Sequence, residues 1–320
     1  MKERRFQAVD VTPRVPPLVR PWNGDQLMNA PLKFDFSRIL AADPSGFGAV
    51  LSVDDFDAAV KQPGFVDGLV SLLGKHLVLR IDAPPYDAAS LAAVATKLGP
   101  PSINKGPRIP GYDSLIQFES AGKPDADPKK DADAAQILHH DSASLAEPPV
   151  YAIVNTKTFP SKPAMHSWID MQAVYRDLPD DLKAKINGLR CIHPSYPDIV
   201  TAGAHRDVKS LPADVLAKGP AHPLVALNPR TGQPMLVLSV RRDAQIVGMD
   251  ASESLPLLTQ LWEIVEGSKH RWQAPMKGND IFIWDNMATV HDRPPFSAAE
   301  PRKVWFANLC PEVPQPAFAA

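Results

Sequence analysis

Trp284-Asp285-Asn286-Met287-Ala288-Thr289-Val290-His291 is the stretch on which the reading of the chain turns. It closes a β-branched and aromatic run that starts at Asp280, passes a polar turn and ends on a histidine. Far upstream lies Leu138-His139-His140-Asp141. In an extended strand, residues i and i+2 project to the same face. His139 and Asp141 therefore point together, and His140 points away. An HxD pair with a distant histidine makes a two-histidine, one-carboxylate set. Such a set leaves coordination positions open on one side of Fe(II), as oxygen activation requires. Taken alone, an HxD tripeptide is a weak signal, because a His–Asp pair is more often a surface hydrogen bond. The third feature is Arg302, eleven residues after His291 and at the head of an apolar run, Lys303 to Leu309. A guanidinium there can grip a carboxylate through two parallel, charge-assisted hydrogen bonds.

Working outward, the 320 residues carry 34 basic and 36 acidic side chains, a net charge of −2. That balance gives no basic footprint for nucleic acid and none for a membrane surface. The apolar share is 44% and the charged share 22%, as in an ordinary globular protein. Proline is the exception, with 35 residues, about twice the usual share of ~5%. Proline fixes φ and removes a backbone donor, so it favours strand edges and ordered loops over long helices. The two cysteines, Cys191 and Cys310, show no CxxC spacing, which argues against both a disulfide framework and a thiolate zinc site. No apolar run follows the basic N-terminal residues and none reaches 18 residues. A cytoplasmic location is the expectation.

Residues 1–45 read as a proline-rich arm, residues 46–312 as one catalytic domain and residues 313–320 as a tail. Helical stretches are expected at Asp54 to Val60, Phe65 to Gly74, Tyr86 to Leu98, Met171 to Lys185 (capped by Asp170) and Leu255 to Glu266 (after Ser252 and Ser254). In Tyr86 to Leu98 the residues Leu91, Val94, Ala95 and Leu98 form one buried face. Strands are expected at His76 to Ile81, Ser114 to Phe118, Val150 to Phe159, Pro234 to Val240, Asp280 to Trp284 and Lys303 to Leu309. Glu119 to Ala135 is polar, low in complexity and without an apolar face, a loop placed to act as a lid. Early helices followed by many strands indicate α+β, or a mainly β sandwich with helices outside.

Several motifs resemble the TauD/TfdA family of 2-oxoglutarate-dependent dioxygenases. They are Gly48-Ala49-Val50-Leu51-Ser52-Val53-Asp54, Lys75 to Arg80, the Pro148-Pro149 after the HxD, His222-Pro223-Leu224-Val225 with Asn228-Pro229-Arg230-Thr231-Gly232, Ile246-Val247-Gly248 with Ser252-Glu253-Ser254, and the W-D-N before His291. The resemblance covers most of the chain. It implies a double-stranded β-helix (a cupin-like jelly roll) flanked by helices, with Fe(II) held by His139, Asp141 and His291. It also implies 2-oxoglutarate as co-substrate, with Arg302 on its far carboxylate, and O2 as oxidant. The implied reaction hydroxylates an unactivated C–H bond of a small molecule and releases succinate and CO2. A homo-oligomer is common in this family.

Two departures from the family pattern bear on the ligands. Where members carry a threonine that helps to hold 2-oxoglutarate, this chain has Lys162-Pro163-Ala164-Met165-His166, so His166 is the candidate for that part. Where sulfonate-oxidising members carry a substrate arginine, it has Phe306, and their helping histidine is replaced near Asn104 and Lys105. Taurine is therefore not the expected substrate. Arg241 and Arg242 are the candidates for holding an anionic group at the mouth. Desaturation or cyclisation on the same scaffold stays open, whereas Asp141 argues against halogenation. A non-catalytic jelly-roll binding protein and a zinc hydrolase are the remaining alternatives, and the hydrolase has no need of Arg302.

Overall fold

The computed structural model describes residues 36, 39–41, 45–102, 106–123, 125, 127, 129–130, 134–162, 165–195, 199–202 and 212–318. In chain order the first half comprises β1 (Ile39–Ala41), β2 (Ala49–Ser52), α1 (Phe56–Val60), α2 (Phe65–His76), β3 (Val78–Asp82), α3 (Ala88–Leu98), β4 (Arg108–Ile109), β5 (Tyr112–Ser120), β6 (Gln136–His139) and β7 (Pro149–Thr158). Then come β8 (Met165–Asp170), α4 (Met171–Asp177), α5 (Asp180–Ile186), β9 (Arg190–Ile192), α6 (Ala213–Leu216), β10 (Ala221–Pro223), β11 (Val225–Asn228) and β12 (Gln233–Leu236). The last elements are α7 (Ala251–Glu266), β13 (Arg271–Pro275), β14 (Ile281–Asp285), β15 (Thr289–Arg293) and β16 (Arg302–Pro311).

The strands make an eight-stranded sheet, ordered β1-β2-β3-β14-β7-β16-β5-β4, and a four-stranded sheet, ordered β13-β8-β15-β6. Two short two-stranded ladders, β10-β9 and β11-β12, complete the set among the described residues. The class is therefore mixed α and β with one dominant sheet.

Strand periodicity sorts the core. Along β14, Ile281 and Ile283 face one apolar cluster, while Phe282 and Trp284 face the other. β3 divides the same way, with Leu79 and Ile81 on the first side and Val78 on the second. The first side is covered by α2 and α3 through Leu69, Leu73, Leu91, Val94 and Ala95. The second packs against the four-stranded sheet around Trp168 and Trp272. With both faces covered, the central strands are almost wholly apolar, and β7 is buried along nearly its whole length.

Several boundaries differ from the sequence reading, each for a local reason. The helix expected over Met171 to Lys185 is two helices, because Pro179 pushes Leu178 out of helical geometry (φ −62°, ψ 147°). Asp170 does cap the first, its side chain accepting from the amides of Gln172 and Ala173. The later helix starts at Ala251, since Asp250 and Glu253 form a reciprocal capping box ahead of Ser252. Within the arm read over residues 1–45, Ile39–Ala41 joins the large sheet beside β2, and most of the rest lies outside the described residues. In the tail, the Leu227 amide donates to the Gln315 carbonyl and the Ala317 amide to the Val225 carbonyl. Of the segment Glu119 to Ala135, the first two residues extend β5 and part of the interior lies outside the described residues.

Candidate metal centre

The two ligand-bearing segments meet because β6 and β15 pair antiparallel with His139 opposite His291. Directly opposed residues on one face stand close enough for their side chains to touch. The two imidazole rings lie 4.4 Å apart. Asp141, just past the end of β6, brings its Oδ1 to 3.4 Å from His139 Nε2 and 3.7 Å from His291 Nε2. One ligand atom from each of the three lies within 4.8 Å of the others.

Protonation suits a cation. His139 Nδ1 is 2.7 Å from the Ile137 carbonyl oxygen. A carbonyl only accepts, so that nitrogen carries the proton and Nε2 presents its lone pair to the site. Burial, then His139, lowers His291 to about 3 against the pull of Asp141. Burial alone would raise Asp141, but His291 and His139 outweigh it and hold the carboxylate below its ordinary range. The result is an ionised carboxylate between two imidazoles whose Nε2 atoms face it, a donor set that can take a metal.

Asn286 ties the two segments together. Its Oδ1 accepts from the Asp141 amide at 2.7 Å, and its Nδ2 donates to the carbonyls of Asp141 (3.0 Å) and Pro149 (2.8 Å). Asp285 shapes the turn beneath, accepting from the amides of Met287 and Ala288. The W-D-N thus has a physical reading: Trp284 packs in the core, Asp285 makes the turn, and Asn286 fixes the peptide that carries Asp141. His140 turns away, as the period of two requires, and donates from Nδ1 to the Asn286 carbonyl at 2.9 Å.

Asp141 and His291 open onto a cavity of about 430 Å³, lined also by His166, Arg293, Arg302 and Phe306. Arg302 stands over the Phe296 ring at 4.6 Å, and its buried Nε has no partner. Burial, then the nearby Arg293, lowers it to about 10. His166 does reach the cavity, but its Nδ1 faces the Asp292 carbonyl at 3.1 Å. That bond uses the ring's one proton and leaves Nε2 a lone pair.

Other expected residues lie elsewhere. Arg241 is buried and gives Nε and Nη2 to Asp243, each at 2.6 Å, and Arg242 pairs with Glu266 at 2.6 Å. Both line a separate depression with Trp262, not the cavity of the triad. Their partners, not the mouth, account for their charge. Asn104 and Lys105 lie outside the described residues. Phe306 lines the cavity, its ring 6.2 Å from that of Phe118. Arg293 was not singled out by the sequence reading. Its signal was available, since it stands two residues after His291 on the same strand face.

The buried histidines make stability pH-dependent. Burial lowers His140 to about 4 and His166 to about 3, whereas in the unfolded chain both sit near 6.5. Below pH 6.5 the unfolded chain takes up protons that the folded one refuses, so stability is complete above 6.5 and falls toward pH 4. The expected slope for metal-free protein is roughly 1 kcal/mol per pH unit per histidine, read from urea midpoints. A flat profile from pH 6.5 to 4.5 would contradict the neutral, buried state.

A mixed α/β protein with two histidines and a carboxylate at the mouth of a cavity defines a candidate metalloenzyme. The chain matches the family described as "Taurine catabolism dioxygenase TauD, TfdA family" over residues 39–308. It belongs to that TauD/TfdA family. Among curated relatives, an alpha-ketoglutarate-dependent sulfate ester dioxygenase of Pseudomonas putida is 27% identical over 277 residues, covering 81% of this chain and 84% of the relative. The (S)-phenoxypropionate/alpha-ketoglutarate-dioxygenase of Sphingobium herbicidovorans is 24% identical over 213 residues, covering 61% and 73%. A crystal structure of a taurine dioxygenase from Burkholderia xenovorans superposes with a TM-score of 0.64 at 23% identity, covering 84% and 89%, which is likeness of fold. Among the described residues, no helix is long and apolar enough to cross a membrane.

Proposed function

We propose that the chain is an Fe(II)- and 2-oxoglutarate-dependent dioxygenase that hydroxylates an unactivated C–H bond of a small molecule. The core would be a double-stranded β-helix formed by the two larger sheets, with one catalytic domain over about residues 46–312 and, in line with that chemistry, a reducing, cytoplasmic setting. One observation carries the reading most directly. Asp141 Oδ2 is buried with no hydrogen-bond partner, beside the lone pair of His139 Nε2. A buried carboxylate oxygen without a donor is costly, and a divalent cation relieves that cost. The donor set, two imidazoles and one carboxylate, suits ferrous iron with positions left open for reactants.

His139, Asp141 and His291 would hold the metal, and Arg302 would hold the far carboxylate of 2-oxoglutarate. Iron with 2-oxoglutarate supplies an O2-dependent oxidation that releases succinate and CO2 and hydroxylates the second substrate. This chain's residues supply placement. The Ile137 carbonyl fixes the His139 ring through Nδ1–H, and Asn286 fixes the Asp141 peptide. Arg302, pre-placed over Phe296, selects a dicarboxylate over a monocarboxylate and sets the direction in which it lies. Phe118, Val304 and Phe306 give the cavity an apolar side. Among described residues Arg241 and Arg242 play no part in this cavity, so they are not assigned to the substrate.

The test is an anaerobic titration of metal-free protein with Fe(II) and 2-oxoglutarate, following the weak visible absorption of the chelate. The wild type gains the band. His139→Ala loses it, and Arg302→Ala needs about 10- to 100-fold more 2-oxoglutarate, the value of one charge-assisted hydrogen bond. A folded wild type that shows no band yet binds Zn(II) tightly would instead favour a zinc hydrolase.

A further inference from the structure

The cavity holds more positive charge than one carboxylate of a co-substrate needs. Arg302 enters at the head of β16, and Arg293 enters from β15 on the face that carries His291. Both guanidinium groups stand over the same ring, Arg293 at 4.9 Å and Arg302 at 4.6 Å from the Phe296 centroid. Both side chains are only partly exposed, and the positive charge of Arg293 bears on Arg302. Among the described residues neither is paired with a carboxylate. Arg293 gives one N–H to the Ala134 carbonyl, and Arg302 Nε has no acceptor. Two half-buried like charges beside one ring are unfavourable until an anion joins them.

A second donor is also missing from the expected place. The family's threonine has no counterpart here, and neutral His166 has already given its proton to the Asp292 carbonyl. Its Nε2 lone pair would repel a carboxylate oxygen. Arg293 lines the same cavity and is a charged donor beside the ring that Arg302 also faces.

We propose that Arg293 and Arg302 together hold the distal carboxylate of 2-oxoglutarate, which makes Arg293 a further determinant of co-substrate specificity. The inference rests on the reading of 2-oxoglutarate as co-substrate. A carboxylate offers about four lone-pair sites, enough for two guanidinium forks. Arg293 also ties the site to the segment before β6, because the Ala134 carbonyl that it contacts lies five residues ahead of His139.

The experiment measures binding, not turnover. The full chain is loaded with Mn(II), and calorimetry gives affinities for 2-oxoglutarate and for 2-oxopentanoate, which has a methyl group in place of the distal carboxylate. Wild type, Arg293→Gln, Arg293→Lys and Arg302→Gln are compared, with Mn(II) affinity and thermal midpoint recorded for each. Arg293→Gln weakens 2-oxoglutarate about 10- to 100-fold, leaves 2-oxopentanoate unchanged, and Arg293→Lys recovers part of the loss. The proposal is overturned if Arg293→Gln binds 2-oxoglutarate like the wild type while Arg302→Gln does not. Equal weakening of both ligands also overturns it, since that marks a structural effect. If the wild type binds no 2-oxoglutarate at all, the functional reading itself falls.

Discussion

His291→Ala yields a folded protein that no longer retains a divalent metal and converts 2-oxoglutarate at background rate. The imidazole contributes one of three ligand atoms grouped within 4.8 Å, and no other described His, Cys, Asp or Glu completes a set of three. Loss of a mere outer partner of a ligand typically costs 10- to 100-fold, so loss of the ligand itself costs more than about 100-fold. Folding survives because the β15–β8 and β15–β6 ladders are made by backbone groups that the substitution leaves in place. Metal content after gel filtration and succinate formation are the two readings. A variant that keeps one equivalent of metal and a tenth of the wild-type rate would remove His291 from the centre.

Trp168→Ala lowers the folding free energy by about 3–5 kcal/mol, as for large-to-small changes in a closed core. Trp168 is fully buried in β8, stacked 5.1 Å from Phe282 and tilted 5.4 Å from Trp272. Its edge meets Trp284 at 6.0 Å, and His166 stacks on it at 6.1 Å. It therefore joins the two larger sheets and itself lines part of the cavity. The rings around it belong to strands fixed by their ladders, so the vacated space cannot collapse. The urea midpoint should fall with an unchanged slope. A loss under about 1 kcal/mol would show that the sheets are held together elsewhere.

Much of this was legible in the sequence where one rule settled a segment alone. The period of two placed His139 and Asp141 on one side and His140 on the other. The 3.6-residue period of Leu91, Val94, Ala95 and Leu98 gave the buried face of α3, and all four are buried. Less was legible where pairing decides. Met165–Asp170 mixes polar and apolar residues without clean alternation, and Arg271–Pro275 alternates over only five residues, yet the two form adjacent strands because each completes the other's ladder. Arg241 and Arg242 looked available because a lone sequence does not display distant partners such as Glu266. Asp243 was nearer to hand, two residues from Arg241, and an Arg-x-Asp turn can pair with itself. Arg293 escaped because the same-face rule was applied to the HxD and not carried forward from His291.

The register that sets His139 against His291 also dates the birth of the centre during synthesis. His140 and Asn286, which hold the two halves together, are separated by 146 positions. A ribosome must therefore pass His291 before the three ligands can meet. β16, the last strand among the described residues, lies between β7 and β5 in the large sheet. Pairing of such distant segments is intrinsically slow to form. A metal ion can thus be taken up only after the strand that carries His291 has been made and paired. The nascent protein is spared from carrying a metal ion at this centre before those two strands have paired.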